Sequence, residues 1–486
     1  MKKSEIRKKI LGGWLGKSIG GTLGAPYEGC NGPLALSFYD PVPTTMLPND
    51  DLDLQILAAW ALRQAEKPVI DRNFLAKVWM EHVKFCFDEY GVALKNFERG
   101  IFPPASGRYD NFFIEGLGAA IRSELWAVLA PGNPTLAAAY AYEDACIDHD
   151  ADGIYAAQFL SALESAAFTA NDVDHLLDAG VSVVPEDSRM ARMVADVRRR
   201  CQREDTPAMI RDHIIREWGS DNFTNCVMNL GFCVMALILG KGDFSQSICL
   251  AANCGRDTDC TAATVGAILG IVAPESIPDK WIAPIGRDCV VSDPIVGITP
   301  PATLDELADW VLEISEKLPE FKPGEQLSYT TKPMTAECHI VKPWFMQDDR
   351  RFMSDLTAPS EFWLREFPGQ KASIPASELP PDSMFMMKFH FTLAHPCKIM
   401  VMFNSRENTR VWIDGEFAFG REGGRMAPSF HRCPVNQMTE VFLEAGRHEL
   451  LCGVAPISGA PTLEWVMGVA DARTRLFLAP DEIFWE

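Results

Sequence analysis

The sequence predicts an all-α domain followed by a smaller all-β domain, and three observations carry that expectation. Up to about residue 318, apolar residues recur at helical spacing in segment after segment, with almost no period-two pattern among them. Pro319, Pro323, Gly324 and Pro333 then mark a linker. Beyond it, short runs of β-branched, aromatic and methionine residues take over, separated by Gly, Pro and Asn turns. The expected boundaries are 1–318 for the helical domain, 319–335 for the linker and 336–486 for a β-sandwich. A chain of 486 residues is long enough to bury two substantial cores.

Ile6, Ile10 and Trp14 are spaced by four, which suits a helix with one apolar stripe. Gly12, Gly13, Gly16, Gly20, Gly21 and Gly24 interrupt it. Each glycine costs roughly 1 kcal/mol against alanine in a helix, so close packing or close approach to a ligand must offset them. Glu28 follows in Gly24-Ala25-Pro26-Tyr27-Glu28, and alone it reads as a solvated loop acid. Pro48-Asn49-Asp50-Asp51-Leu52-Asp53 opens an amphipathic helix that stops before Pro68. Asn and Asp suit a helix start, but three carboxylates and an amide exceed what a cap requires. Two like charges about 4 Å apart repel by about 4 kcal/mol at an effective dielectric of 20. Such a stack needs exposure, raised pKa values or a cation.

From Phe112 to Leu129, a polar turn leads into G-L-G-A-A-I-R-S-E-L-W. Gly116 and Gly118 can turn backbone N–H groups toward an anion, or the stretch is a helix start with Arg122 on a surface. Helices are expected over 135–145 and 154–167, flanking Asp148-His149-Asp150. A histidine beside acids reads first as a structural group. A charged helical region runs to Trp218, a strongly apolar helix covers 222–239, and 303–318 reads as a last amphipathic helix. Between these lies N-C-G-R-D-T-D-C-T-A-A-T-V-G-A-I-L-G, from Asn253 to Gly270. Its polar turn places Asp257 and Asp259 at the mouth of a helix whose small residues allow close packing. With Thr258, Cys260 and Thr261 they make an oxygen-rich cluster at a positive helix end, suited to a hard cation.

After the linker, strands are expected over 385–391, 398–403, 409–413, 441–443, 449–454 and 463–469, with Asp414-Gly415 as a hairpin turn. The pieces M-V-M-F, W-I-D-G-E and L-E-A-G-R-H-E-L resemble jelly-roll modules appended to glycoside hydrolases.

Composition narrows the function classes. A net charge of −21 argues against gripping nucleic acid by its phosphates. The basic-then-apolar start is broken by glycines and Lys17 and shows no small-residue cleavage site, so it is not read as a signal peptide. No run approaches roughly 18 apolar residues, so no membrane span is expected. The 14 cysteines are scattered, with no CxxC pair, and Cys226, Cys233 and Cys249 lie in apolar helical contexts. That pattern predicts reduced, buried thiols in a cytoplasmic protein.

Four pieces in order resemble the ADP-ribosylglycohydrolase family: the glycine-rich first helix ending in G-A-P-Y-E, N-D-D-L-D from Asn49, G-L-G-A-A-I-R from Gly116, and G-R-D-T-D-C from Gly255. The resemblance covers the first 318 residues and implies an orthogonal bundle of α-helices around a cleft holding two Mg²⁺ ions, Mn²⁺ in some members. It places Asn49, Asp50, Asp51, Asp257, Asp259 and Cys260 at metal-ligand positions and Glu28 at a mobile acid near the substrate. Gly116 and Gly118 fall on the loop facing the substrate's phosphates, and Asp148-His149 where relatives carry a substrate-facing histidine. Asn49 stands for a usual Thr or Ser, Leu52 for a Thr, Leu117 for a polar residue and Cys260 for a Thr or Ser ligand. A thiol is a poor partner for a hard ion, which leaves Thr261 as an alternative ligand.

The implied activity is hydrolysis of an N- or O-glycosidic bond to ribose, with Glu28, Asp51 and Asp259 as candidate catalytic residues. Cleavage at an anomeric carbon passes through an oxocarbenium-like state and needs an acid, a positioned water and a firm hold on the sugar. The expected partner is an ADP-ribosyl or smaller ribosyl substrate, with no nucleic acid or membrane, and no oligomeric state is implied. Leu117 and the β-module make a small nucleoside-like glycoside a rival substrate. Cys260 leaves open a non-catalytic protein that binds a ribosyl ligand or glycan.

Overall fold

The structure is a computed structural model that describes residues 1–341, 363–433, 436–457 and 459–486. Helices fill the chain to about residue 320 and antiparallel sheets follow, as the period change predicts. Contacts divide the residues into two compact units. One comprises Met1–Lys84, Pro103–Gly107 and Ile114–Leu327; the other comprises Phe85–Phe102, Arg108–Phe113 and Ser328–Glu486.

The first unit is organised on two helices that meet along small residues. Helix α1 (Lys3–Gly24) packs against the helix Thr258–Val272 over its whole buried length. Gly12, Gly16, Gly20 and Gly24 recur every fourth residue on α1 and face Gly270, Gly266, Ala262 and Thr258 in turn. The pairing runs antiparallel, and the backbones touch. A Cβ at Gly16 would lie 1.9 Å from Gly266 O, and one at Gly266 would lie 2.2 Å from Gly16 O. The helical cost of the glycines is therefore offset by backbone approach that no side chain permits. Helix α2 (Asp50–Gln64) and the last helix, Leu304–Ser315, pack beside this pair. Several elements fall close to their expected places, including Pro134–Ala145, Asp152–Ala166 and Cys226–Gly240. The stretch after Gly116 differs: only the 3-10 turn Ala120–Arg122 and the short helix Glu124–Val128 form. Arg122, which the helix-start reading put on a surface, is buried.

The second unit is a two-layer sandwich. Its strands are β1 (Met334–Val341), β2 (Trp363–Phe367), β3 (Lys371–Pro375), β4 (Met384–Leu393), β5 (Cys397–Ser405), β6 (Asn408–Ile413), β7 (Glu416–Glu422), β8 (Met438–Leu443), β9 (Gly446–Ala455), β10 (Thr462–Asp471) and β11 (Ile483–Trp485). Among the described residues one sheet has the order β2-β1-β4-β9-β6-β7, with β11 beside β4, and the other β3-β10-β5-β8. Alternate residues of both sheets, such as Phe385, Met387 and Phe389 against Val401, Phe403 and Trp465, share one core. Asp414 and Gly415, both with φ near the left-handed region (50° and 83°), close the β6–β7 hairpin as the sequence predicts. The helix Asp88–Glu98 belongs to this unit although no composition shift marks it. Its buried Lys95 pairs with Asp110 at 2.8 Å, and Asp110 Oδ1 accepts Lys371 N–H from β3 at 2.5 Å.

Candidate metal centre and active site

Two helix starts carry the acids. At α2, Asn49 is the N-cap and its Oδ1 accepts Asp51 N–H at 2.8 Å. Asp51 and Asp53 are buried in the first turn and Asp50 is half-buried. Asp53 accepts Ser292 N–H at 3.0 Å and so tethers the loop before the last helix, its carboxyl pushed up to about 6 by burial. At the second start, Asp257 occupies the N-cap position of Thr258–Val272 without making a capping bond. Its own N–H donates to Asn229 Oδ1 at 3.4 Å, and Thr258 Oγ1 donates to Gly24 O at 2.8 Å. The second acidic turn is thereby fastened to the end of α1.

These groups, far apart in sequence, converge. Ligand atoms of Asp257, Asp259 and Cys260 lie within 4.8 Å of one another, and all three residues are buried. Burial raises the pKa values of Asp257 and Asp259, and the charges of Glu28 and Asp51 raise both further. Burial also pushes Asp50 up to about 8, with Asp51, Asp53 and Glu28 adding to the rise. The Cys260 thiol, a weak donor, lies against Asp51 and Asp257. Thr261 turns its hydroxyl back to Thr258 O at 3.2 Å, while Cys260 groups with Asp257 and Asp259.

Among the described residues, both carboxylate oxygens of Asp51, Oδ1 of Asp257 and Oδ1 of Asp259 are buried without a conventional hydrogen-bond partner. Leaving so many buried acceptors unmet costs roughly 1–3 kcal/mol each, more where charged. Convergent carboxylate oxygens at two positive helix ends suit a hard divalent cation. The donor set therefore fits Mg²⁺ or Mn²⁺, and Cys260 is its one soft member.

Behind Asp51 lies a buried network that sequence reasoning missed. Lys17 is fully buried; its Nζ lies 2.7 Å from Glu124 Oε1 and 3.8 Å from Asp51 Oδ2. Gln55 Nε2 donates to Glu124 Oε2 at 2.9 Å and to Asp51 O at 2.8 Å, and Ser123 Oγ donates to Glu164 Oε2 at 3.2 Å. The available signal was the lone lysine in the otherwise small or apolar stretch 10–24 of α1, which burial obliges to find carboxylates.

The other expected site residues lie as follows. Glu28 is exposed, just past the 3-10 turn Ala25–Tyr27 that continues α1, and its charge bears on Asp50, Asp257 and Asp259. Gly116 and Gly118, with Leu117 between them, are buried in the turn before Ala120–Arg122, which packs on α2. Asp148 and His149 are fully buried. Asp148 takes a two-pronged grip from Arg122, at 2.6 and 3.1 Å, and meets His149 Nδ1 at 2.8 Å. Arg122 also holds Asp144 at 2.6 Å. Arg122 and His149 keep Asp148 below the usual carboxylate range against the pull of burial. This pair is built into the bundle's internal salt-bridge network.

The family profile described as ADP-ribosylglycohydrolase matches residues 2–319. The chain belongs to the ADP-ribosylglycohydrolase family. No curated protein matches it. Among solved structures, an ADP-ribosylglycohydrolase-related protein complex is similar at 18% identity and a TM-score of 0.46, over 65% of this chain and 99% of that one. An anti-sigma factor domain-containing protein from Clostridium clariflavum is similar at 11% identity and a TM-score of 0.20, over 29% and 43% of the two chains. A GH31 alpha-xylosidase from Xanthomonas citri is similar at 14% identity and a TM-score of 0.17, over 31% and 15%. The ADP-ribosylglycohydrolase match covers both acidic turns, Glu28 and the 116–122 segment. Among the described residues, no helix is long and apolar enough to cross a membrane.

Proposed function

We propose that the chain is a divalent-metal-dependent glycosidase that hydrolyses an N- or O-glycosidic bond to ribose. Membership of the ADP-ribosylglycohydrolase family supports glycosidase chemistry in general. The observation that carries the metal dependence is the set of buried carboxylate oxygens on Asp51, Asp257 and Asp259 that lack a conventional hydrogen-bond partner. Asp50, Asp51, Asp257 and Asp259, with Asn49 and Cys260 beside them, would hold two Mg²⁺ or Mn²⁺ ions. Such ions supply positive charge that grips ribose hydroxyls and makes water more acidic.

The chain's own groups do the rest. Lys17 and Gln55 hold Asp51 from behind, and the Thr258–Gly24 bond fixes the Asp257–Asp259 turn against α1. Glu28, an exposed acid whose charge bears on the cluster, would pass a proton between water and the leaving nitrogen or oxygen. Overall, water's hydroxyl ends on the anomeric carbon and its proton on the leaving group. As the bond opens, the anomeric carbon becomes cation-like, and the surrounding carboxylates favour that charge.

Leu117 favours a second reading of the substrate. It is buried with Gly116 and Gly118, so this turn offers no polar side chain to a diphosphate. A small ribosyl glycoside fits that turn better than an ADP-ribosyl group. The test is purified protein in Mg²⁺ or in EDTA, given an ADP-ribosylated peptide and 4-nitrophenyl β-D-ribofuranoside in parallel. Free ADP-ribose from the first or nitrophenol from the second, lost in EDTA and in Asp259→Ala, is the expected result. Full turnover in EDTA would remove the metal mechanism. Binding of ADP-ribose without any product under both ions would make the chain a binding protein instead.

A further inference from the structure

The loop that carries Glu28 is stitched to the turn that carries Asp257. Gly29 N–H donates to Arg256 O at 2.8 Å, and Arg256 N–H donates to Cys30 O at 2.6 Å. Leu34 N–H donates to Asn253 O at 2.8 Å. The Asn253 side chain then adds two bonds, accepting Leu36 N–H at 2.6 Å and donating to Leu36 O at 3.0 Å. Between these ties, two glycines stand backbone to backbone. Gly32 (φ 62°) and Gly255 (φ 74°) both use the left-handed region. A Cβ on Gly32 would lie 2.6 Å from Cys254 O, and one on Gly255 would lie 2.6 Å from Gly32 N.

One side chain spans the seam. Arg211, on the helix Pro207–Trp218, is nearly buried. Its Nε donates to Cys254 O at 2.7 Å, and its Nη2 donates to Asn31 O on the Glu28 loop. A planar guanidinium can hold two carbonyls of separate segments at a fixed spacing, which an ammonium cannot. Nine residues from Glu28 to Leu36 would otherwise form a glycine- and proline-containing surface loop with considerable freedom.

We propose that Arg211 and Asn253 are positioning residues that lock the Glu28 loop onto the Asn253–Asp257 turn, so that Glu28 and the acids at 257 and 259 move as one body. The loop is then a fixed wall of the site, where the family resemblance implied a mobile acid at Glu28. This rests on the proposed role of Glu28 for its kinetic consequence, but its structural content stands alone.

The experiment compares the full chain with Arg211→Met, Arg211→Lys and Asn253→Ala by amide hydrogen exchange and by kinetics on whichever of the two probes above is turned over. Exchange of the 28–36 peptide is expected to rise at least tenfold in Arg211→Met and Asn253→Ala, and less in Arg211→Lys, while the 258–272 peptide stays protected. On the turned-over probe, kcat should fall about tenfold with KM within twofold, and Arg211→Lys should recover part of it. Unchanged exchange in 28–36 overturns the lock. So does a loosened loop with unchanged kcat, provided Glu28→Gln is itself impaired. If Glu28→Gln keeps full turnover, or wild type turns over neither probe, the reading of the site fails instead. Hydrogen exchange then still decides whether the lock exists.

Discussion

The contact between α1 and Thr258–Val272 allows a paired perturbation in which the same clash is placed at opposite ends. A Cβ on Gly24 would sit 2.3 Å from Asp259 N and Thr258 O, where ordinary contact begins at 3.4 Å. A Cβ on Gly12 would sit 2.2 Å from Gly270 O. Both obstacles are backbone, which cannot swing aside as a side chain can. Each alanine therefore forces the helices apart locally by about 1 Å, and overpacking of this kind costs about 1–3 kcal/mol. For a unit of this size that lowers Tm by about 2–4 °C per kcal/mol. The two substitutions should thus destabilise alike. They should differ in function, because Gly12 lies about 18 Å along the helix from Gly24. Gly24→Ala moves the turn bearing Asp257 and Asp259, and a 1 Å misplacement can cost about 100-fold in rate. The assay is thermal melting with and without Mg²⁺, Mn²⁺ titration calorimetry, and turnover of the active probe. Gly24→Ala should lose metal affinity and turnover, while Gly12→Ala keeps both after its stability loss. Equal loss of metal binding in both variants, or no destabilisation in either, would refute the reasoning.

Other expectations follow from the same geometry. Asp259→Asn should stabilise the metal-free chain by about 1–3 kcal/mol, because it removes one of several crowded buried carboxylates. The same variant should abolish the rise in Tm expected from Mg²⁺ in the wild type, and melting curves with and without the ion test both halves. Lys17→Met leaves Glu124 and Asp51 without their buried cation and should cost about 3–5 kcal/mol in chemical denaturation. An unaltered midpoint would mean that the network carries no net charge there. In the second unit, burial and Arg475 hold His431 at about 4, below its ordinary 6.5. The unfolded chain then binds the extra proton first, so stability is full above pH 6.5 and is lost as pH falls toward 4. The loss is about 3 kcal/mol at most, since Asp88 Oδ1 at 4.0 Å from the ring favours the charged form. His431→Gln should flatten melting curves recorded between pH 4 and 7, and an unchanged slope would exclude the histidine.

The outlines of the site were legible because its chemistry is locally written. Acids stacked at a helix start, as at Asp50–Asp53 and Asp257–Asp259, exceed what capping needs and announce a cluster before any coordinates exist. The glycines of α1 likewise signalled a close approach, and the approach proved to be to Thr258–Val272. The Asp414-Gly415 hairpin was readable from its residues because only such residues adopt those angles cheaply. The Gly116 region misled, because its glycine and alanine content suits a helix while its setting in the bundle holds it to a turn and two short helical pieces. Arg122 could not be placed from the sequence, since a buried arginine looks like a surface one until Asp144 and Asp148 are seen around it.

By itself the sequence determined the succession of helices and strands, the two acidic turns and the family, because period, capping and turn chemistry act over a few residues. Only the tertiary structure decided that the charge of Asp51 bears on Asp257 and Asp259, that Lys17 stands behind it, that Cys260 groups with the acids, and that Asp88–Glu98 sides with the sheets. Those outcomes depend on which distant backbones approach closely enough to touch. That is set by packing over the whole unit, which no local window of residues encodes.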